Sequence, residues 1–295
     1  MARLIGLFGN RGEWIERLVE HEARVLDVRG LAGREALGGW GVGFHQSGEV
    51  LIRKRPSEAR SELRVAELVQ GVRADSVLVH VRSRTEGGAA HEGTDNTQPF
   101  RYRSWLYAQT GSVAREFARV RVRLLESVPE FLRSQIRGES DAEVLFTLFL
   151  SFLHDAGHLE HDAISSADAV RALRSTLTLA DNVLAEFGEP PARVNVLIGN
   201  GELLLAVHRG RAMAYREFSS RADIAALLAG DSERARRDPG NVHLVVVASD
   251  FQVAQPTDSS EFEAVDADAM TGWRSIEPSS LVVVQRGVSP AVEPL

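Results

Sequence analysis

The sequence contains no cysteine among its 295 residues. That absence removes disulfides, thiolate metal ligands and cysteine nucleophiles together. Lysine occurs once, at Lys54, so arginine carries nearly all the cationic charge, and compositional bias accounts for this better than a demand for bidentate pairing throughout. Long hydrophobic runs are also missing. Leu4 to Phe8 is too short for the apolar core of a secretory signal, and no window approaches the roughly 18 apolar residues that cross a bilayer. A cytoplasmic location with no membrane partner is therefore expected. Basic charge is not in excess either: 41 acidic residues against 34 basic ones give a net charge of -7, which argues against a nucleic-acid partner.

What remains is an ordinary globular composition, 44% hydrophobic and 25% charged, in a chain long enough for a sizeable core. No linker-like shift divides it, so a single domain over residues 1–295 is expected. Met1 to Gly9 reads as a short buried strand. Glu13 to Val28 has roughly helical spacing, consistent with a helix or a surface excursion, and Gly30 to Gly39 reads as a loop. Gly39 to Phe44 and Glu49 to Lys54 read as the arms of a hairpin turning at His45 to Gly48. Glu58 to Val69 is expected to be a helix and Ser76 to Val81 a strand. The stretch from Arg82 to Phe100 lacks an apolar period and reads as a long, functional loop.

Trp105 to Ala108 is expected as a further strand, followed by an arginine-rich helical segment. The clearest amphipathic helix runs from Asp141 to Leu153, and a second from Ser166 to Phe187. Gly199-Asn200-Gly201 marks a hairpin between Val194–Ile198 and Glu202–Val207. Val242 to Ala248 and Leu281 to Val284 read as buried strands, and the tail from Ser289 as frayed. Strands, then helices, then strands joined by hairpins favour antiparallel sheets packed with helix layers, an α+β class.

Six short strings follow one another: Met1-Ala2-Arg3-Leu4, Gly39-Trp40-Gly41-Val42-Gly43-Phe44, His80-Val81-Arg82-Ser83-Arg84-Thr85, Asn96-Thr97-Gln98-Pro99-Phe100, Gln109-Thr110-Gly111 and Glu139-Ser140-Asp141-Ala142-Glu143. In this order they resemble the class II glutamine amidotransferases, the family with an N-terminal nucleophile, and in particular its small stand-alone members. The likeness is strongest over residues 1–153, and residues 166–285 would complete the fold. It implies a four-layer αββα sandwich of two antiparallel sheets, the N-terminal nucleophile hydrolase fold, with the active site at one end of the sheets.

The resemblance also assigns roles. Removal of Met1 would leave Ala2 first, where active members carry a cysteine that attacks the γ-amide of glutamine. Its free α-amine would serve as general base. Arg82 would clamp the substrate α-carboxylate, a task suited to a planar guanidinium. Thr85 would add a hydrogen bond, and Asp141 would hold the α-ammonium group. As a purely structural alternative, Arg82 and Asp141 belong to an ion-pair network, or Asp141 simply favours a helix N-terminus.

The departures from the family pattern carry equal weight. Active members have an asparagine-glycine pair where this chain has Thr110-Gly111. Gly111 can still offer its backbone N–H, but Thr110 cannot reproduce the amide donor of the oxyanion hole, a loss that typically costs on the order of a hundredfold to a thousandfold in turnover. Gln109 and Gln98 both stand where histidine is usual. With Ala2 inert, the expectation is an impaired amide hydrolase that binds glutamine, glutamate, a γ-glutamyl compound or a protein partner. Two alternatives stand beside it: an active amidotransferase whose cysteine was deliberately replaced by Ala2, and a structural interaction protein with a vestigial pocket. Changes at Thr110 and Gln109 as well as Ala2 favour natural loss. Homo-oligomers are compatible with the sequence.

No cofactor is expected. His154, His158 and His161, with Asp155 and Asp162, have a spacing reminiscent of zinc ligands, but the glycine-containing segment reads better as a solvated connector. Thr110 has no base placed by sequence to activate it as a nucleophile. Arg101, Arg103, Arg115, Arg119, Arg121 and Arg123 concentrate positive charge near the expected site, as solvated faces or as a surface for an acidic partner.

Overall fold

Alternating Val and Leu residues supply the strands, and serine-capped amphipathic runs supply the helices packed on them. The computed structural model describes residues 2–29, 37–83, 93–160, 163–228, 241–249 and 270–295. In chain order the strands are β1 (Ala2–Gly9), β2 (Val28–Arg29), β3 (Leu37–Gln46), β4 (Glu49–Arg55), β5 (Glu62–Leu63), β6 (Ser76–Ser83), β7 (Phe100–Tyr102) and β8 (Trp105–Ser112). The later strands are β9 (Arg193–Gly199), β10 (Leu203–His208), β11 (Met213–Phe218), β12 (Leu244–Ser249), β13 (Arg274–Ile276), β14 (Ser280–Gln285) and β15 (Val288–Pro294). The helices are α1 (Ile15–His21), α2 (Ala23–Leu26), α3 (Val65–Val69), α4 (Phe117–Leu125), α5 (Glu130–Arg133), α6 (Asp141–Asp155), α7 (Ser166–Glu186) and α8 (Arg221–Leu227).

Among the described residues, one sheet has the order β13-β11-β12-β1-β6-β3-β4 and the other β15-β14-β10-β9-β8-β7, with antiparallel neighbours throughout. Side chains alternate between the faces of each strand. Leu4, Phe8, Leu78, Leu106, Ala108, Leu197 and Leu204 meet between the sheets. Ile5, Leu7, Val77 and Val79 turn outward against α1, α3 and α8, while Trp105, Tyr107, Val194 and Val196 turn outward against α4, α6 and α7. The result is the expected α+β sandwich of layers α, β, β, α.

Local chemistry sets the helix starts. Ser140 Oγ accepts from Glu143 N–H at 3.2 Å to open α6, and Ser165 does the same for Asp168 N–H at 3.1 Å in α7. Ser220 and Asp223 form a reciprocal capping box on α8.

Several boundaries differ from those expected. The helix anticipated from Glu58 is confined to Val65–Val69. Glu58 accepts from Arg60 N–H at 3.1 Å and from Trp40 Nε1 at 3.2 Å, Leu63 pairs with Val28, and the Asp27 carboxylate caps Val65 N–H at 2.9 Å. The run from Glu13 breaks at Glu22, whose carboxylate is drawn inward by Arg216 at 2.7 Å and Trp273 Nε1 at 2.6 Å. The hairpin turn narrows to Ser47-Gly48, both at positive φ, as a two-residue turn requires. The tail is a paired edge strand, β15, with Glu293 and the Pro294 carbonyl held by Arg174. Finally, β6 runs on to Ser83 and β8 to Ser112, so Arg82, Thr110 and Gly111 lie on strands.

Candidate functional site

Strand pairing places the first of the expected residues. Ala2 on β1 stands opposite Arg82 on β6, and Arg82 stands opposite Gly39 on β3. Arg82 is half-buried, with Nη2 donating to the Pro56 carbonyl at 3.1 Å. Thr85 lies outside the described residues.

The facing sheet places the second group. Thr110 is buried opposite Asn195, and Gly111 pairs with Val194 at a φ of 87°. A Cβ at Gly111 would lie 2.1 Å from the Arg193 carbonyl oxygen, so both the backbone angle and the close approach demand glycine. Asp141 opens α6, and its Oδ2 accepts from Val113 N–H at 2.8 Å, two residues beyond Gly111. This contact ties the start of the long helix to the end of β8.

Between these groups lies a buried polar network. His80 follows Leu78-Val79 on β6, in register with Leu4 on β1 and with Gly41 on β3, which in turn pairs with Lys54 on β4. Burial, then the Arg82 guanidinium, pushes the His80 imidazole down to about 3, while a hydrogen bond to the Gln109 backbone opposes the shift. His80 is therefore neutral at physiological pH, and it joins the Arg82 strand to the Thr110 strand. Gln98 Nε2 also donates to the Gln109 carbonyl, at 3.1 Å, and Gln98 Oε1 accepts from Gln109 N–H. Tyr107 donates its hydroxyl to Gln109 Oε1 at 2.7 Å. Burial first, then the Asp141 carboxylate, pushes the Tyr107 phenol above its ordinary range.

The single lysine belongs to the same region, although the sequence offered only its rarity as a signal. Lys54 Nζ lies 5.3 Å from the centre of the Phe100 ring and 3.5 Å from the Thr94 carbonyl. Burial lowers its pKa, with Glu143 and Asp95 acting in the opposite sense. His80 was legible only as part of a string. A histidine inside the apolar run Leu78-Val79-His80-Val81 was the available clue, since a buried polar side chain needs a partner.

The remaining candidates separate from this region. His154 packs edge-on against Phe131, and His158 lies 3.6 Å from Asp168. His161 and Asp162 are outside the described residues, among which no cluster of metal-ligating side chains occurs. Most of the noted arginines face acids or carbonyls: Arg103 with Glu160, Arg119 with Glu116, Arg123 with Glu126 and Glu186, Arg101 with the Val50 carbonyl and Arg121 with the Gly138 carbonyl. A groove of about 720 Å³ between α7 and β14–β15, lined in part by Arg174, Thr178, Asn182, Gln285 and Glu293, includes none of the expected site residues. Among the described residues, no helix is long and apolar enough to cross a membrane.

Comparison with known proteins agrees with this architecture. A yeast protein, the probable glutamine amidotransferase DUG3 of Saccharomyces cerevisiae, is 26% identical over 126 residues, which cover 41% of this chain and 34% of the yeast protein. The match thus spans about a third of that relative's length. Among solved structures, a glutamine aminotransferase class-II domain protein from Silicibacter pomeroyi aligns over 99% of this chain and 98% of its own, with a TM-score of 0.57 and 16% identity. The glutamine phosphoribosylpyrophosphate amidotransferase of B. subtilis aligns over 99% of this chain and 49% of its own, with a TM-score of 0.53 and 14% identity. These likenesses show the fold, that of the N-terminal nucleophile amidotransferases. The family model for class-II glutamine amidotransferases matches residues 16–294, nearly the whole chain, and the chain belongs to that family.

Proposed function

We propose that this chain is a catalytically impaired class II glutamine amidotransferase-like protein that acts by binding a glutamine, glutamate or γ-glutamyl-type ligand. One observation carries the reading: the strand position beside Arg82 is occupied by Ala2, whose methyl group cannot attack a carbonyl. In this reading Arg82 holds the ligand α-carboxylate and Asp141 its α-ammonium group, with Thr85 adding a hydrogen bond and Gly111 a backbone donor. Thr110, in place of an amide-bearing residue, weakens any oxyanion hole. A protein partner that presents a γ-glutamyl or acidic group would use the same donors.

Support comes from the placement of these groups. Ala2 and Arg82 are cross-strand neighbours, Asp141 reaches the backbone just beyond Gly111, and His80 links the two strands. Changes at Gln98, Gln109 and Thr110 as well as at Ala2 support natural loss of catalysis over a single deliberate replacement.

Titration calorimetry with L-glutamine, L-glutamate and a γ-glutamyl dipeptide tests the reading, together with a glutaminase assay on the same preparation. The expected result is binding without turnover. Arg82→Ala is expected to weaken binding by at least about tenfold, since hydrogen bonds to charged groups are worth roughly 1.5–3 kcal/mol. Turnover abolished by Arg82→Ala would refute the loss of catalysis, and absence of heat with all three ligands would refute the binding role.

A further inference from the structure

The β7–β8 ladder pairs Phe100 with Tyr107, Arg101 with Leu106 and Tyr102 with Trp105. Continued outward, that register sets residue 98 opposite residue 109. The Gln98 backbone does not follow it. Its carbonyl oxygen points at Gly41, where an added Cβ would come within 2.0 Å, and Pro99 has no N–H to give.

The side chain takes the vacated place. Gln98 Nε2 donates to the Gln109 carbonyl at 3.1 Å, while Gln98 Oε1 accepts from Gln109 N–H. A carboxamide carries a donor and an acceptor side by side in one plane, as a peptide group does. Both ladder bonds of Gln109 are therefore made by one side chain. Gln98 is 9% exposed and Gln109 2%, so water is poorly placed to replace either bond. The Gln109 side chain is held in turn by Tyr107, and the next two residues are Thr110 and Gly111.

We infer that Gln98 is a positioning residue: its carboxamide stands in for a missing strand and fixes the peptide of Gln109, and through it the Thr110–Gly111 backbone assigned above to ligand binding. Gln98 acts on the ligand only through that backbone. The ligand arm of the test rests on the binding role proposed above; the backbone arm does not.

Gln98→Glu separates positioning from bulk stability. Protonated, the introduced acid reproduces both bonds, since its O–H donates to the Gln109 carbonyl. Ionised, it can only accept, and it faces that carbonyl without a donor. Burial raises the pKa of such an acid into an accessible range. The charged and ionisable groups on the surrounding elements are His80 and Arg82 on β6, Lys54 on β4, Asp95 three residues before Gln98, Tyr107 on β8, and Asp141 and Glu143 on α6. In the unaltered protein burial and Arg82 hold His80 at about 3, and Tyr107 lies above its usual range, so neither titrates there between about pH 5 and 8.

The Gly111 amide resonance and the exchange protection of Gln109 N–H are followed over that pH range, with calorimetric titration of L-glutamine alongside. In the unaltered protein the Gly111 resonance stays constant, and the Gln109 protection factor changes no more than that of a central core-strand amide, which follows global stability alone. In Gln98→Glu the Gly111 resonance shifts as pH rises, Gln109 protection falls by at least about tenfold, and glutamine affinity falls by about tenfold, the equivalent of one buried hydrogen bond. All three return on acidification. In Gln98→Met the changes are present at every pH; Gln98→Glu, isosteric when protonated, keeps the test decisive if Gln98→Met does not fold. A Gln98→Glu protein with unaltered Gly111 and Gln109 signals at high pH overturns the inference. Amide signals that respond in a protein binding neither glutamine, glutamate nor γ-glutamyl dipeptide uphold the positioning role and refute the binding role.

Discussion

Lowering the pH should destabilise this protein through His80. The imidazole is 4% exposed, and its pKa falls from 6.5 to about 3 because burial and Arg82 both oppose a second positive charge. In the unfolded chain the group recovers its ordinary value, so between the two pKa values the unfolded state binds more protons. The contribution is therefore fully present above about pH 6.5 and is lost as pH falls toward 3. At about 1.4 kcal/mol per pH unit the full span is worth about 5 kcal/mol, of which about 2 kcal/mol disappears between pH 7 and pH 5. For a chain of this size that is a fall in melting temperature of roughly 4 °C. Other groups titrate over the same interval, so the informative quantity is the difference from His80→Asn, which cannot take up the proton. Urea unfolding at pH 7, 6 and 5 should show the unaltered protein losing about 2 kcal/mol more than the variant. Equal slopes, or an imidazole NMR titration near pH 6.5, would refute the reasoning. Because His80 stays neutral, its bond to the Gln109 backbone persists throughout the physiological range.

Two further outcomes are expected. Introducing a nucleophile alone, Ala2→Cys, should give at most weak glutaminase activity. Adding Thr110→Asn should raise it by about a hundredfold to a thousandfold, the typical worth of one oxyanion donor; equal rates for the single and double variants would count against the assignment of Thr110. Gly41→Ala puts a methyl group 2.0 Å from the Gln98 carbonyl oxygen, a backbone atom that cannot swing aside. Overpacking of this kind costs about 1–3 kcal/mol, so the melting temperature should drop by roughly 2–6 °C with a loss of Gln109 protection. An unchanged melting curve would mean that the Gln98-Pro99 segment yields freely.

Much of the architecture was readable from residue patterns. The capping serines Ser140 and Ser165, the apolar period of α6 and α7, and the turn glycine Gly201 are governed by sterics and hydrogen bonds a few residues apart, which any stretch of chain carries with it. The errors fell where a distant partner outbid local preference. Glu22 breaks a helical run because Arg216 and Trp273, nearly two hundred and more residues away, claim its carboxylate. The tail became a strand because β14 offered it an edge. At the candidate site, the strings named Arg82, Thr110, Gly111 and Asp141 but gave no hint that Gln98 and Gln109 belong to each other.

By itself, then, the amino-acid order determined the α+β layering, the family likeness and the alanine at position 2, since all three reside in residue identity and short-range period. Only the tertiary structure decided that Ala2 lies beside Arg82, that His80 is kept neutral, and that the Gln98 side chain completes a strand ladder. The reason is physical: strand register brings together residues far apart in the chain, and burial then changes what a side chain can do, through desolvation and close backbone approach that no local pattern records.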